Sequence, residues 1–299
     1  MAVVTALLLT TLAVTIVASL FWQQQLQVRS IENQRLQLQQ QWVLRGALDW
    51  ARLILREDGR NSVIDDLSEP WATPLVPIPL DQYIESGHTG SSTGHALLSG
   101  SIQDAQGFFN LNNLATQGSV NLSEVQAFAR LLSSTRQDPS LATTAARHIA
   151  SIYRSADAPQ SALPRPISLT QIDDLLSVPG FTPQVIEAVR PHILFLPSTT
   201  PINVNTASPE LLAALIPSLS LSQAIALVNS RRQSPFMKVT DFTDRLPGSS
   251  VDVDSSRFSV MTHYFLIRGA VSLRGSKLDI QALVERQPSA TRLLWVKAI

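Results

Sequence analysis

The segment Ile202–Leu212, INVNTASPELL, decides how this chain folds. Its first half alternates Ile202 and Val204 with Asn203 and Asn205, the period of an extended segment that buries one side. Its second half is built as a helix start. Ser208 can accept from the N–H groups of the first turn, Pro209 suits the first helical position, and Glu210 complements the positive end of the helix. Leu211, Leu212 and Leu215 supply the core face, and Pro217 ends the helix. A hairpin over Ser218–Leu221 and a second helix from Ser222 to about Arg232 (SQAIALVNSRR) complete a helix–hairpin–helix unit.

The same device occurs upstream. FNLNNLA (Phe109–Ala115) also places Asn, an apolar residue and Asn ahead of a helix. Asparagine side chains bond readily to nearby backbone, so Asn110, Asn112, Asn203 and Asn205 are expected to pin the two ends of whatever lies between and beyond them. That role is structural. Between the two motifs the pattern predicts helices over Ser123–Ser134, Leu141–Ser155, Thr170–Ser177 and Pro183–His192. Outside them the chain changes character. HALLSGSIQDAQGFFNLNNL suggests two short strands around a turn at Asp104–Gly107, and residues 256–287 and 291–299 read as strands with Gly275 at a tight turn. A helical block thus interrupts two strand-bearing segments, which predicts one α+β domain with an α-helical insertion.

The N-terminus adds a third element. From Ala2 to Trp22 there is no charged residue and no proline, enough apolar length for a helix spanning about 30 Å of bilayer. A signal peptide has a shorter apolar core after a positive start. Beyond the span, the Gln-, Leu- and Arg-rich stretch up to Asp58-Gly59 favours one continuous helix of about 57 residues, roughly 85 Å long. Trp42, Val43, Leu48, Ala51 and Leu55 are expected to form its packing stripe. Residues 61–94 are rich in Pro, Ser, Gly and Thr and read mostly as loop. Arg29 and Arg35 would by the positive-inside rule lie in the cytoplasm, whereas loss of a short basic leader ahead of Met1 places the remaining chain on the far side. The expected division is 1–22 for the transmembrane part, 23–114 for the helix and first part of the domain, 115–250 for the insertion, and 251–299 for the closing strands.

Composition narrows the function. The 23 basic and 23 acidic side chains cancel, and there is no cysteine. The charge balance argues against a general nucleic-acid sleeve, and the missing thiols exclude disulfides and cysteine-built zinc sites. The five histidines fall in no metal-protease spacing, and no Gly-x-Ser-x-Gly elbow or phosphate-loop lysine is present. Asp65-Asp66 and Asp173-Asp174 are adjacent pairs, which point apart rather than forming an acid/base couple. No catalytic residue is expected.

The run from Ile202 through SPFMKVTDFTDRL resembles the helix-hairpin-helix repeats of DNA-uptake receptors, and a membrane-tethered DNA-binding receptor is the alternative reading. Those repeats carry glycines in the hairpin so that backbone N–H groups can reach phosphate. Here the glycine positions are Ser218 and Ser220, and an upstream copy, VPGFTP (Val178–Pro183), keeps only Gly180.

The whole chain is similar to the K-type minor pseudopilins of the bacterial type II secretion system. MAVVTALLL looks like a pseudopilin N-terminus, and QDAQGFFNLNNL, LPSTTPINVNTASPELLAAL, SPF and HYFLIRGAV match recurrent segments of that family. The resemblance implies a long N-terminal transmembrane and amphipathic helix, a pilin-like antiparallel sheet, and a large α-helical insertion with helix-hairpin-helix-like elements. It implies a single-pass protein of the inner membrane with its globular part in the periplasm. Met1 would be the N-terminus left by prepilin peptidase, with possible N-methylation, and Thr5 stands where other pilins carry Glu. The implied partners are I-type and J-type minor pseudopilins, then the H-type and major pseudopilins, the inner-membrane assembly platform and membrane lipid, with no nucleic acid. The implied role is at the pseudopilus tip, starting its assembly in protein export across the outer membrane. K-type relatives can bind calcium through acidic loops of the insertion. Around RHIASIYRSADAPQSALP only Asp157 is acidic, so the remaining calcium candidates are Asp252 and Asp254, which lack the glycine and closing glutamate of a calcium loop.

Overall fold

A computed structural model describes residues 1–80, 96–157, 169–248, 254–288 and 290–299. The fold is α+β. Helix α1 runs from Ala2 to Asn61 without a break, about 90 Å at 1.5 Å per residue. It passes through Gly59 because its end is set by Ser62, whose N–H bonds the Asp58 carbonyl. The first 35 residues of α1 are exposed all round. Further along, one stripe turns inward: Gln40, Leu44, Leu48, Ala51 and Leu55. The expected stripe is therefore corrected at one end. Trp42 is 68% exposed and Val43 only half-buried, because the 3.6-residue period through Leu48 and Leu55 selects Leu44 and Gln40.

That stripe lies on a five-stranded antiparallel sheet. Strands β1 (Leu75–Pro79), β2 (Leu97–Asp104), β9 (Tyr264–Leu273), β10 (Ser276–Arg286) and β11 (Thr291–Ala298) are ordered β1-β2-β9-β10-β11. β1 falls in the segment read as loop. Pro77 and Pro79 hide it from pattern reading, yet both are tolerated because β1 is an edge strand. β9 and β10 form a hairpin through Arg274 and Gly275, both at positive φ, as a two-residue type I′ turn requires. On the α1 side, Leu48, Ala51 and Leu55 pack with Trp71, Phe265, Ile267, Ala282 and Val284. Gly269 lets Leu44 lie close: a Cβ there would come within 3.3 Å of its Cδ2.

β2 and β9 are neighbours in the sheet, and the insertion is everything between them. It leaves β2 through a short 3-10 turn (Ala105–Gly107) and β3 (Phe109–Asn110). A 3-10 turn (Leu111–Leu114) leads to the small hairpin of β4 (Ala115–Thr116) and β5 (Ser119–Val120). Helices α2 (Leu122–Ser134) and α3 (Leu141–Asp157) follow. A 3-10 turn over Ile172–Ser177 stands where an α-helix is expected, and then come α4 (Pro183–Val189), β6 (Ile193–Leu194) and β7 (Ile202–Asn203). Helices α5 (Pro209–Leu215), α6 (Leu221–Arg231) and α7 (Val239–Asp244) close the block, and β8 (Phe258–Ser259) leads back to β9. β3 does not form a hairpin with β2. It pairs in parallel with β6, and β7 pairs in parallel with β8. The insertion has its own core, with Phe109 stacked on Phe128 at 5.4 Å and Phe242 against both Phe236 and Phe258.

Candidate functional site: the joint and the long helix

Both Asn-x-Asn segments fold as small turns in which the first asparagine accepts from the N–H of the second. Asn110 Oδ1 takes the Asn112 N–H (3.1 Å), and Asn203 Oδ1 takes the Asn205 N–H (3.0 Å). Each remaining group reaches a different strand of the chain. Asn110 Nδ2 donates to the Ser198 carbonyl (2.7 Å) and Thr200 Oγ1, and its Oδ1 also accepts from Leu196 N–H. Asn112 Nδ2 donates to the Leu196 carbonyl (2.6 Å). Asn205 grips the Phe236 backbone by both its N–H and its carbonyl (2.9 and 3.0 Å). Asn203 Nδ2 spans the joint itself, donating to the Asp65 carbonyl (2.9 Å) and to Asp104 Oδ2 (2.7 Å).

Asp104 sits at the last residue of β2 and is buried. It accepts from the Gln106 N–H, Asn203 Nδ2 and Thr206 Oγ1. Burial raises its pKa to about 6, opposed by the hydrogen bonds from Thr206 and Asn203. Next to it, Arg286 at the end of β10 is held between Asp58 of α1 (2.7 Å) and both oxygens of Asp65 (2.6 Å), and lies over the Phe265 ring. Burial, and then the nearby Glu69 charge, lift Asp58 to about 6 despite Arg286. Asp58, Asp65 and Glu69 bring carboxylate oxygens within 4.8 Å of one another, and the Arg286 guanidinium is the cation among them. None of these long-range partners was marked by any local pattern; only the isolated charges in apolar surroundings hint at them.

The helix-hairpin-helix unit is turned to internal use. Ser208 caps α5, accepting from Leu211 N–H, and Ser220, one hairpin position, caps α6 in a reciprocal pair with Gln223. The Leu219 N–H is bonded to the Ile216 carbonyl, so donors that would face a phosphate are already engaged. Arg231 is not on the solvent side. It is buried, donates to the Val204 carbonyl (2.6 Å), and is lowered to about 10 by burial and by neighbouring Arg232. Gly180 has φ +91, and a Cβ there would meet Leu141 Cδ2 at 2.5 Å. This glycine serves packing between the 3-10 turn and α3.

The calcium candidates do not come together. Asp254 caps a 3-10 turn, its Oδ1 taking the N–H and hydroxyl of Ser256. Asp252 and the side chain of Asp157 lie outside the described residues. Calcium takes six to eight oxygen ligands, and Asp254 alone supplies too few. At the other end of the molecule, the Thr5 hydroxyl is bonded back to the Ala2 carbonyl (2.9 Å), so position 5 presents no charge. Past the apolar span, the side of α1 opposite the sheet still carries Ile31, Leu38, Trp42, Trp50 and Leu53, all exposed.

A long helix, apolar at its start and packed by its last third on an antiparallel sheet, defines an anchored subunit of pilin-like build. Two family models, both described as type II secretion system (T2SS) protein K, match residues 107–198 and 202–261, together about half of the chain. The chain belongs to this family. It is 28% identical to the type II secretion system protein K of Pseudomonas aeruginosa over 310 aligned positions, covering 95% of this chain and 88% of that one. For the protein of the same description from Aeromonas hydrophila the identity is 23%, covering 96% and 92%. The fold is also that of a chain in the crystal structure of the GspK-GspI-GspJ complex from the enterotoxigenic Escherichia coli type 2 secretion system, with TM-score 0.70, 23% identity, and coverage of 91% of this chain and 99% of that chain.

Proposed function

We propose that this chain is the tip subunit of a type II secretion pseudopilus, anchored by α1 in the inner membrane with its globular part in the periplasm. The carrying observation is where the insertion sits. Near the middle of α1, Gln40 donates to Ser276 at the β9–β10 turn. At the far end of α1, Asp58 meets Arg286, Asp65 and, through Asn203, Asp104, where the insertion begins. The bulk of the insertion is thus at the pole farthest from the apolar span. A subunit stacked above this one in a filament would collide with it, so the chain fits the end of a filament and not its body. An uncharged Thr5 agrees with this, since a tip subunit has no amine above it to neutralise.

The partners that fit are I-type and J-type minor pseudopilins, by analogy with the Escherichia coli complex. The outer stripe of α1, Ile31 to Leu53, would meet their helices, and this complex would then recruit the H-type and major subunits and start assembly. The four asparagines and Asp104 hold the insertion in its crowning orientation. A DNA-receptor role has less support, because the hairpin N–H groups and Arg231 are already used inside the fold. The test is co-purification of the full chain in detergent with I- and J-type partners. A stable ternary complex, weakened by replacing Trp42 and Trp50 with Glu, is expected. Failure of the wild-type chain to bind either partner contradicts the reading.

A further inference from the structure

Strand β1 covers only part of its neighbour. Its pairings with β2 are Leu75–Gly100, Ile78–Leu98 and Pro79–Leu97, while β2 itself runs on to Asp104. Residues Ser101 to Asp104 are paired with β9 on one side and have no strand on the other. In an extended strand, alternate residues direct their N–H and C=O to opposite sides, so this stretch presents unpaired backbone along its free edge. A cavity of about 280 Å³ lies there, lined by Ser101–Asp104 and by Trp71, Phe108 and Pro191.

Two further groups in its lining lack partners. Gln103 Oε1 and His192 Nδ1 are both closed off from solvent and make no hydrogen bond. A shielded polar atom with no partner loses its hydration without recompense. That two of them line one cavity, beside an open strand edge, describes a site short of a ligand. Its chemistry is specific: backbone donors and acceptors at strand spacing, an aromatic and proline wall for one apolar side chain, and a carbonyl acceptor reachable by a turn of the Gln103 amide.

We propose that this groove binds an extended peptide segment of a partner protein, added edgewise to β2 along Ser101–Asp104 with an apolar side chain against Trp71 and Phe108. The segment occupies the place in the sheet that β1 leaves empty. Strand addition supplies affinity through main-chain bonds, and the pocket supplies selectivity. Gln103 is then a binding residue maintained at a cost to the free protein.

The experiment selects binders of the full-length chain, in detergent, from a displayed library of random linear peptides, and measures the synthesised peptides by fluorescence anisotropy. Gln103→Leu is expected to weaken binding about tenfold, the worth of one hydrogen bond, while leaving thermal stability unchanged or higher. Leu67→Trp, which fills the groove from an exposed rim position, is expected to abolish binding. Peptide addition is expected to slow amide exchange within Ser101–Asp104. The proposal is overturned if no peptide is selected, if selected peptides bind both variants as they bind the parent, or if binding leaves exchange at Ser101–Asp104 unaltered.

Discussion

The two faces of the sheet are held by different means. Against α1 the contact is a continuous apolar seam, Leu48, Ala51 and Leu55 on Phe265, Ile267, Ala282 and Val284, closed at one end by the Asp58–Arg286–Asp65 cluster. Against the insertion, the apolar contact is small: Leu196, with half-buried Leu194, on Tyr264, Leu266 and Leu283. What joins the insertion there is mainly polar, from Asn110 and Asn112 on the Leu196–Thr200 strand, Asn203 between Asp65 and Asp104, and Ser198 with Tyr264 at 3.2 Å. Apolar burial is non-directional and supplies stability. A network of amide hydrogen bonds is directional and fixes the angle at which two bodies meet. For a subunit whose bulk must crown one pole, angle is what the second face has to secure.

The largest test strikes the α1 side. Arg286→Leu strands Asp58 and Asp65 in a buried site, and loss of about 3–5 kcal/mol in denaturant unfolding is expected; adding Asp65→Asn should recover part of it. Leu55→Ala, at a fully buried position in the seam, should cost about 2–5 kcal/mol. Asn203→Leu acts on the other face and should cost about 1–3 kcal/mol, since Asp104 loses a donor in a buried site. Its mark should be local: faster amide exchange over residues 202–206 and 258–262, with α2 and α3 protected as before. If Asn203→Leu instead loosened α1, the division between the two faces would be wrong.

The smallest effect is with pH. Asp104 titrates near pH 6 in the fold against a model value of 3.8, so the folded state binds the proton more tightly. Stability contributed by this group therefore rises as pH falls through 6 and levels off near 4. Asp58, raised the same way, adds to it. Between pH 7.5 and 5.5 the gain at Asp104 should be on the order of 1 kcal/mol, seen as a higher melting temperature at the lower pH. Asp104→Asn should flatten that slope; an unchanged slope would mean that Asp104 titrates near its ordinary value.

Much of this was legible in the sequence, for reasons that differ by residue. The span, the helical run to Asp58, the Ser208-Pro209 helix start and the turn at Gly275 are local signals, and local signals survive folding. The Asn-x-Asn repeat was visible as a motif, although its partners up to 138 positions away were not. Misreadings arose where tertiary context overrides a local rule. Pro77 and Pro79 concealed an edge strand, a conspicuous Trp42 drew the stripe off its true period, and Arg231 at a helix end proved to be an internal strut. The groove beside Ser101–Asp104 exists only because two strands of unequal length pair, which no single segment records.

Because the chain contains no cysteine, one introduced thiol gives a unique label. Ser218→Cys places it on the exposed hairpin of the insertion, and gold-tagged pseudopili assembled with the labelled chain can be imaged directly. The account predicts one tag at a single end of each filament, the end farthest from the membrane. Tags distributed along the filament shafts, or confined to the membrane-proximal end, would contradict it.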